Sequence, residues 1–136
     1  MADDRAKILI IDDDPDFTET TQAMLESGGY EVLTAAEGQK GLETVREEEP
    51  DLIILDIMMD SMYEGFSVIS TLRGTPEFVD YRDIPIIMAS AVKQEYGSRF
   101  SLPEGGEHLQ GDVYMDKPLK PKELLETVAR LLAERK

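Results

Sequence analysis

Hydrophobic residues in this chain fall into short solid blocks, and between the blocks they recur every three or four positions. Lys7 to Ile11 is almost wholly apolar and β-branched, the pattern of a strand covered on both faces. In the segment that follows, Pro15 suits the first turn of a helix and an Asp before it can cap free N–H groups. Phe17, Thr21, Met24 and Leu25 then fall at i, i+4, i+7 and i+8, and Gly28 and Gly29 stop the helix. The alternation repeats. Residues 30–35 read as a strand in partial alternation, and 37–49 as a weaker helix interrupted by Gly41, with Leu42 and Val45 on its apolar face. The most apolar run, 51–59, should be the central strand. Phe66, Ile69 and Leu72 give helical spacing over 65–73, 84–90 reads as a fourth strand with Pro85 near its start, and 112–115 as a short fifth. A last helix begins at Pro121, carries Leu124, Leu125, Val128, Leu131 and Leu132 on one stripe, and has Arg130, Arg135 and Lys136 toward its end.

Strands alternating with helices at this spacing predict a doubly wound α/β domain, a five-stranded parallel sheet with helices on both faces. Residues 91–111 hold Gly97, Pro103, Gly105, Gly106 and Gly111 and little periodicity, so a fourth helix there should be short or irregular. No linker, repeat or low-complexity tract divides the chain, and residues 1–136 are expected to form one domain with no separate output domain.

Charge narrows the function. With 29 acidic against 14 basic residues the net charge is −15, which argues against nucleic acid and against a membrane surface, both polyanionic. The absence of cysteine excludes thiolate metal sites and a Cys nucleophile, and the single His108 cannot build a histidine-rich zinc site. No window approaches the roughly 18 consecutive apolar residues of a membrane span, and the expected location is cytoplasmic.

Ligands of open parallel sheets sit beyond the carboxyl ends of the strands. By that rule Asp12 and Asp13 after the first strand, Asp56 at the third, Ser90 at the fourth and Lys117 after the fifth converge on one edge. Gathered carboxylates with room for water suit Mg²⁺, a hard cation that takes a few protein oxygens and keeps several waters. Beside that ion a carboxylate can attack a phosphoryl group, with Lys117 as a point charge and Ser90 as a hydrogen-bond donor on phosphoryl oxygens. Asp14 has a different task, as the helix cap. An EF-hand loop fails, because its sixth position would be Phe17 and its twelfth Ala23.

Four stretches, "ILIIDDDPDF", "DLIILDIMM", "IPIIMASA" and "YMDKPLKPKELL", resemble in order the motifs of the response-regulator receiver domains of two-component signalling, over nearly the whole chain. The resemblance implies a flavodoxin-like (βα)5 fold with strand order 2-1-3-4-5. It implies that Asp56 accepts a phosphoryl group from a sensor histidine kinase or a histidine phosphotransfer protein. Asp13 would lie directly on Mg²⁺ and Asp12 would act largely through water, with Asp56 and the carbonyl of Met58 as further ligands. Tyr114 would be the aromatic switch that turns inward as Ser90 moves toward the phosphoryl group. The readout would be a downstream protein target engaged near the fourth and fifth strands, or onward phosphotransfer, in a monomer or weak homodimer. Such a protein is primarily a signalling switch that autophosphorylates from phosphodonors. Met58 and Val92 fall where the family tunes self-dephosphorylation; both are apolar, neither can orient a water, and slow loss of phosphate is expected.

The chain also departs from the family pattern. Asp60 stands where members usually have Pro, the spacing from Asp56 to Gly65 is one residue longer, and the stretch from Ser90 to Lys117 is several residues longer. Two other readings follow. A haloacid-dehalogenase-like Mg²⁺-dependent phosphohydrolase also sets Asp, Ser or Thr, and Lys at a sheet edge, but with its nucleophile ending the first strand and with a cap domain. A degenerate receiver would act as a scaffold independent of phosphorylation.

Overall fold

The computed structural model describes residues 5–56, 62–81, 83–90, 113–117 and 119–134. Five strands, β1 (Lys7–Ile11), β2 (Glu31–Ala35), β3 (Leu52–Asp56), β4 (Ile86–Ser90) and β5 (Val113–Asp116), form one parallel sheet in the order β2-β1-β3-β4-β5. The helices are α1 (Pro15–Ser27), α2 (Gly38–Glu48), α3 (Met62–Gly74) and α4 (Pro121–Glu134). The doubly wound fold and its strand order are as expected. The irregular fourth helix expected within 91–111 lies outside the described residues.

Period-two alternation decides which residues of each strand meet which helices. Ile8, Ile10, Leu52 and Ile54 pack with Leu25 of α1 and with Leu124, Val128 and Leu131 of α4. Leu9, Ile11, Ile53 and Leu55 face the other way, toward Val45 of α2 and Val68, Ile69 and Leu72 of α3. Both faces of β1 and β3 are covered, which is why these strands read as solid apolar blocks rather than alternating ones.

Element ends shift by one to three residues from the sequence expectation, α3 for instance beginning at Met62 rather than at 65, and three local details carry a physical reason. Strand β4 begins at Ile86, one residue after Pro85; proline has no N–H to give a ladder and sits just outside it, with its carbonyl accepting from Ile53 N at 3.0 Å. A 3-10 helix over Pro76–Tyr81 had no sequence signal. It buries Phe78 in the α2/α3 core and brings Glu77 to an ion pair with Arg46, whose guanidinium lies 5.8 Å from the Phe78 ring centroid. Gly41 does not interrupt α2: the helix runs through it, and a Cβ there would stand 2.4 Å from Ile11 Cδ1 and 2.7 Å from Ile11 Cγ1.

The glycine therefore lets α2 lie close on β1, one residue before the acidic cluster begins. Gly41→Ala gains up to about 1 kcal/mol of helix propensity but must displace the fully buried Ile11, and overpacking costs about 1–3 kcal/mol. Urea unfolding should show a net loss of stability for Gly41→Ala, whereas Gly74→Ala, with open space around it, should lose none.

Candidate functional site

Parallel register carries the functional residues to one edge. Ile11 pairs with Leu55, so the next residues, Asp12 and Asp56, leave neighbouring strands at the same level. Asp56 stands opposite Ala89, one residue before Ser90, and Ser90 stands opposite Asp116, one residue before Lys117. Adjacent strands lie about 4.8 Å apart, so Asp12 and Asp56 are forced together, whereas Lys117 starts two strands from β3 and reaches Asp56 on its long stem.

The result is a compact charged site. Carboxylate oxygens of Asp12, Asp13 and Asp56 all lie within 4.8 Å of one another. Asp12 and Asp56 are buried, at 3% and 5% exposure, and Asp13 is open to solvent. The Lys117 ammonium lies 2.8 Å from Asp12 Oδ2 and 3.4 Å from Asp56 Oδ2, bridging the two buried acids. Two like charges at this separation near a protein surface repel by about 4 kcal/mol, and the ammonium offsets that repulsion. Burial pushes the Lys117 ammonium toward losing its proton. The hydrogen bonds and charges of Asp12 and Asp56 outweigh that effect and hold its pKa above the ordinary lysine value of 10.5. A group raised in this way contributes its stabilisation fully below its unfolded value, and the contribution is lost only as pH rises through the folded one. The ion pair is thus intact across the physiological range.

Local hydrogen bonds shape the acidic turn. Asp12 N donates to Ala35 O at 3.0 Å, tying the turn to the end of β2. Asp12 Oδ1 accepts from Asp14 N at 2.9 Å, and Asp14 Oδ1 accepts from Asp16 N at 3.0 Å and Phe17 N at 3.4 Å. Asp14 is therefore the α1 cap, as its place before Pro15 predicts. The three consecutive acids separate into a buried ion-pairing group, an exposed one and a cap. A cleft of about 420 Å³ opens beside them, lined by Asp12, Asp13, Thr18 and Gln22 and by the Thr34–Ala36 end of β2.

Four of the expected site residues, Asp12, Asp13, Asp56 and Lys117, are brought together. The backbone of Ser90 ends β4 beside them, and its side chain, like Met58, Asp60, Val92 and His108, lies outside what is described. Tyr114, on β5, is half-buried against the α2/α3 core. The sequence reading missed Phe17 as a neighbour of this site: its ring centroid is 4.3 Å from Lys117 Nζ. Its helical spacing marked it only as core, and no local signal links it to a lysine a hundred positions on.

The donor set fits Mg²⁺. All three groups offer hard oxygens, one of them opens to water, and at formal charge three carboxylates against one ammonium leave two negative charges for a dication to neutralise.

A parallel 2-1-3-4-5 sheet with an acid cluster and a lysine at its carboxyl edge defines a flavodoxin-like domain whose charged groups gather where ligands of such sheets sit. The family model for the response regulator receiver domain matches residues 8–129, and the chain belongs to that family. It is 34% identical over 126 residues to the alkaline phosphatase synthesis transcriptional regulatory protein PhoP of Bacillus subtilis, covering 93% of this chain and 48% of that protein. It is 35% identical over 128 residues to the DNA-binding response regulator MtrA of Mycolicibacterium smegmatis, covering 93% and 51%. The chain thus spans about half the length of these curated relatives. A solved structure of a CheY-like receiver domain protein from Methanospirillum hungatei superposes with a TM-score of 0.76 at 27% identity, over 96% of both chains. Family membership overturns the haloacid-dehalogenase alternative. Among the described residues no helix is long and apolar enough to cross a membrane.

Proposed function

We propose that this receiver domain is a phosphoacceptor switch in which Asp56 takes a phosphoryl group from the phosphohistidine of a sensor histidine kinase or histidine phosphotransfer protein. The observation that supports it most is the placement of Asp56: buried at the end of the central strand, 3.4 Å from the Lys117 ammonium and within 4.8 Å of two further carboxylates. An Asp56 carboxylate oxygen attacks phosphorus, the P–N bond breaks, and its electron pair returns to the imidazole, which takes up a proton. Lys117 is already charged and in place, and it follows the oxygen charge as the phosphoryl group arrives. Ser90, one residue beyond the strand partner of Asp56, donates to another phosphoryl oxygen and moves with it, and Tyr114 turns inward in response.

Asp12, Asp13, Asp56 and the Met58 carbonyl would hold Mg²⁺, with Asp13 directly on the ion. When bound, the ion neutralises phosphoryl oxygens and aligns attacker with leaving group. The aspartyl phosphate carries about 1.5 to 2 negative charges where the carboxylate carried one, and it carries them on new oxygens at a buried position. Driving a two-state surface from 1:99 to 99:1 takes about 5.5 kcal/mol, toward which relocated Lys117 and Ser90 contacts would contribute. The partner that reads this state, a protein target or a second histidine, engages the surface of β4 and β5. The chain works as a monomer or weak homodimer, and the receiver itself, at −15, is repelled by nucleic acid.

The test is direct. Incubated with acetyl phosphate and Mg²⁺, the protein should gain the mass of one phosphoryl group, and chelation of the metal should prevent the gain. Absence of any Mg²⁺-dependent labelling would instead support the phosphorylation-independent scaffold.

A further inference from the structure

We propose that Phe17 is a positioning residue for phosphoryl transfer, its ring holding the Lys117 ammonium at the acceptor site through a cation–π contact. The inference rests on reading Asp56 as the acceptor, and it adds a residue whose side chain has no polar atom and no reach to the reacting group.

The geometry supports it from both sides. Lys117 Nζ lies 4.3 Å from the Phe17 ring centroid, inside the roughly 6 Å within which a cation is attracted to an aromatic face. The same ammonium lies 2.8 Å from Asp12 Oδ2 and 3.4 Å from Asp56 Oδ2, and the lysine side chain is only 17% exposed. Desolvation is the condition under which the attraction grows. Phe17 is itself fixed: its backbone N–H donates to the Asp14 cap, and its ring packs against the α1/α4 face of the core. Asp12 and Phe17 belong to one turn and its first helical residues, so the acidic segment grips Lys117 twice, by charge and by ring.

The consequence for transfer is a restricted ammonium. As the phosphoryl group reaches Asp56, Lys117 must leave part of its contact with the carboxylates and follow the new oxygens. A lysine stem has four rotatable bonds and an open side toward solvent. The ring takes up one contact of the ammonium while Asp12 and Asp56 take up others, which narrows the positions open to it. A purely space-filling Phe17 would support α1 equally well without any electronic requirement, and this difference makes the idea testable.

The experiment introduces para-fluoro-, trifluoro- and pentafluorophenylalanine at position 17, alongside Phe17→Tyr and Phe17→Leu. Fluorine withdraws electron density from the ring face while keeping the ring's shape. Two quantities are read: the rate constant for acetyl-phosphate labelling with Mg²⁺ by intact mass, and the Lys117 εCH₂ proton shift by NMR, assigned by its disappearance in Lys117→Met. The labelling rate should fall stepwise with fluorine number, by about two- to ten-fold across the series, with Phe17→Tyr near wild type and Phe17→Leu near the pentafluoro protein. The Lys117 εCH₂ protons should lie upfield of the other lysines in wild type and Phe17→Tyr and return to the common position in Phe17→Leu. A labelling rate that is flat across the fluorinated series, in a wild type that labels, overturns the positioning role while leaving Asp56 as acceptor. An unshifted Lys117 resonance overturns the contact itself. Failure of the wild type to label overturns the acceptor reading, whatever the NMR shift.

Discussion

Asp56→Asn is expected to stay at its unmodified mass after incubation with acetyl phosphate and Mg²⁺, under conditions in which Asp12→Asn should still gain one phosphoryl group at a reduced rate. The two substitutions each remove one formal charge from the same cluster, so a general electrostatic defect would affect them alike. They differ in which atom is lost. An amide at position 56 has no anionic oxygen to attack phosphorus, whereas an amide at position 12 leaves the Asp56 nucleophile intact and removes a contact to Lys117 and a share of the cation site. Loss of labelling in Asp56→Asn should not arise from unfolding. The side chains are nearly isosteric, one of the two buried like charges is gone, and Lys117 keeps its 2.8 Å partner Asp12. Labelling of Asp56→Asn at the wild-type rate would show that another residue is the acceptor.

Lys117→Met is the substitution with the largest expected effect on stability. Its ammonium is the counter-charge for two carboxylates that are 3% and 5% exposed. Removing one partner of a buried ion pair leaves uncompensated charge and costs about 3–5 kcal/mol. Because the lysine side chain is itself 17% exposed, water screens part of the change, and a loss of about 2–3 kcal/mol is expected in urea unfolding at pH 7. The sign of the Mg²⁺ effect then separates electrostatics from packing. At formal charge the cluster goes from two net negative charges to three, so the variant should bind the dication more tightly and gain more stability from it than wild type, following the ratio of free ion to dissociation constant. Millimolar MgCl₂ should narrow the stability gap between the two proteins, and NaCl at equal ionic strength should not. An equal Mg²⁺ increment for both would mean that the three carboxylates do not share one ion.

Most of the fold was legible because its signals are local. A proline at position 15 with an Asp before it, a pair of glycines at 28 and 29, and solid apolar blocks at 7–11 and 51–59 each depend on neighbours along the chain. The structure places α1, its cap and β1 accordingly, and β3 over Leu52–Asp56, with residues 57–59 of the expected run outside the described ones. Where the cause is a contact from elsewhere, the pattern misleads. Gly41 looks like a defect in a weak helix until Ile11 is seen beneath it, and the 3-10 turn at Pro76–Tyr81 has no periodicity because Phe78 and the Glu77–Arg46 pair hold it from outside.

The site divides along the same line. Alternating blocks imply a parallel sheet, and a parallel sheet has one carboxyl edge, so Asp12, Asp13, Asp56 and Lys117 could be assigned to a common edge from their order alone. Their different roles follow from distances that no one-dimensional pattern contains. The register of β1 against β3 sets Asp12 beside Asp56, and the turn after β1 leaves Asp13 in solvent and makes Asp14 a cap. The reach of Lys117 across the end of β4 places its ammonium between two buried acids and over the face of Phe17. Strand propensity, capping and hydrophobic period act between neighbours along the chain; Coulomb and cation–π attraction act through space, and only the packed sheet brings those partners within their range.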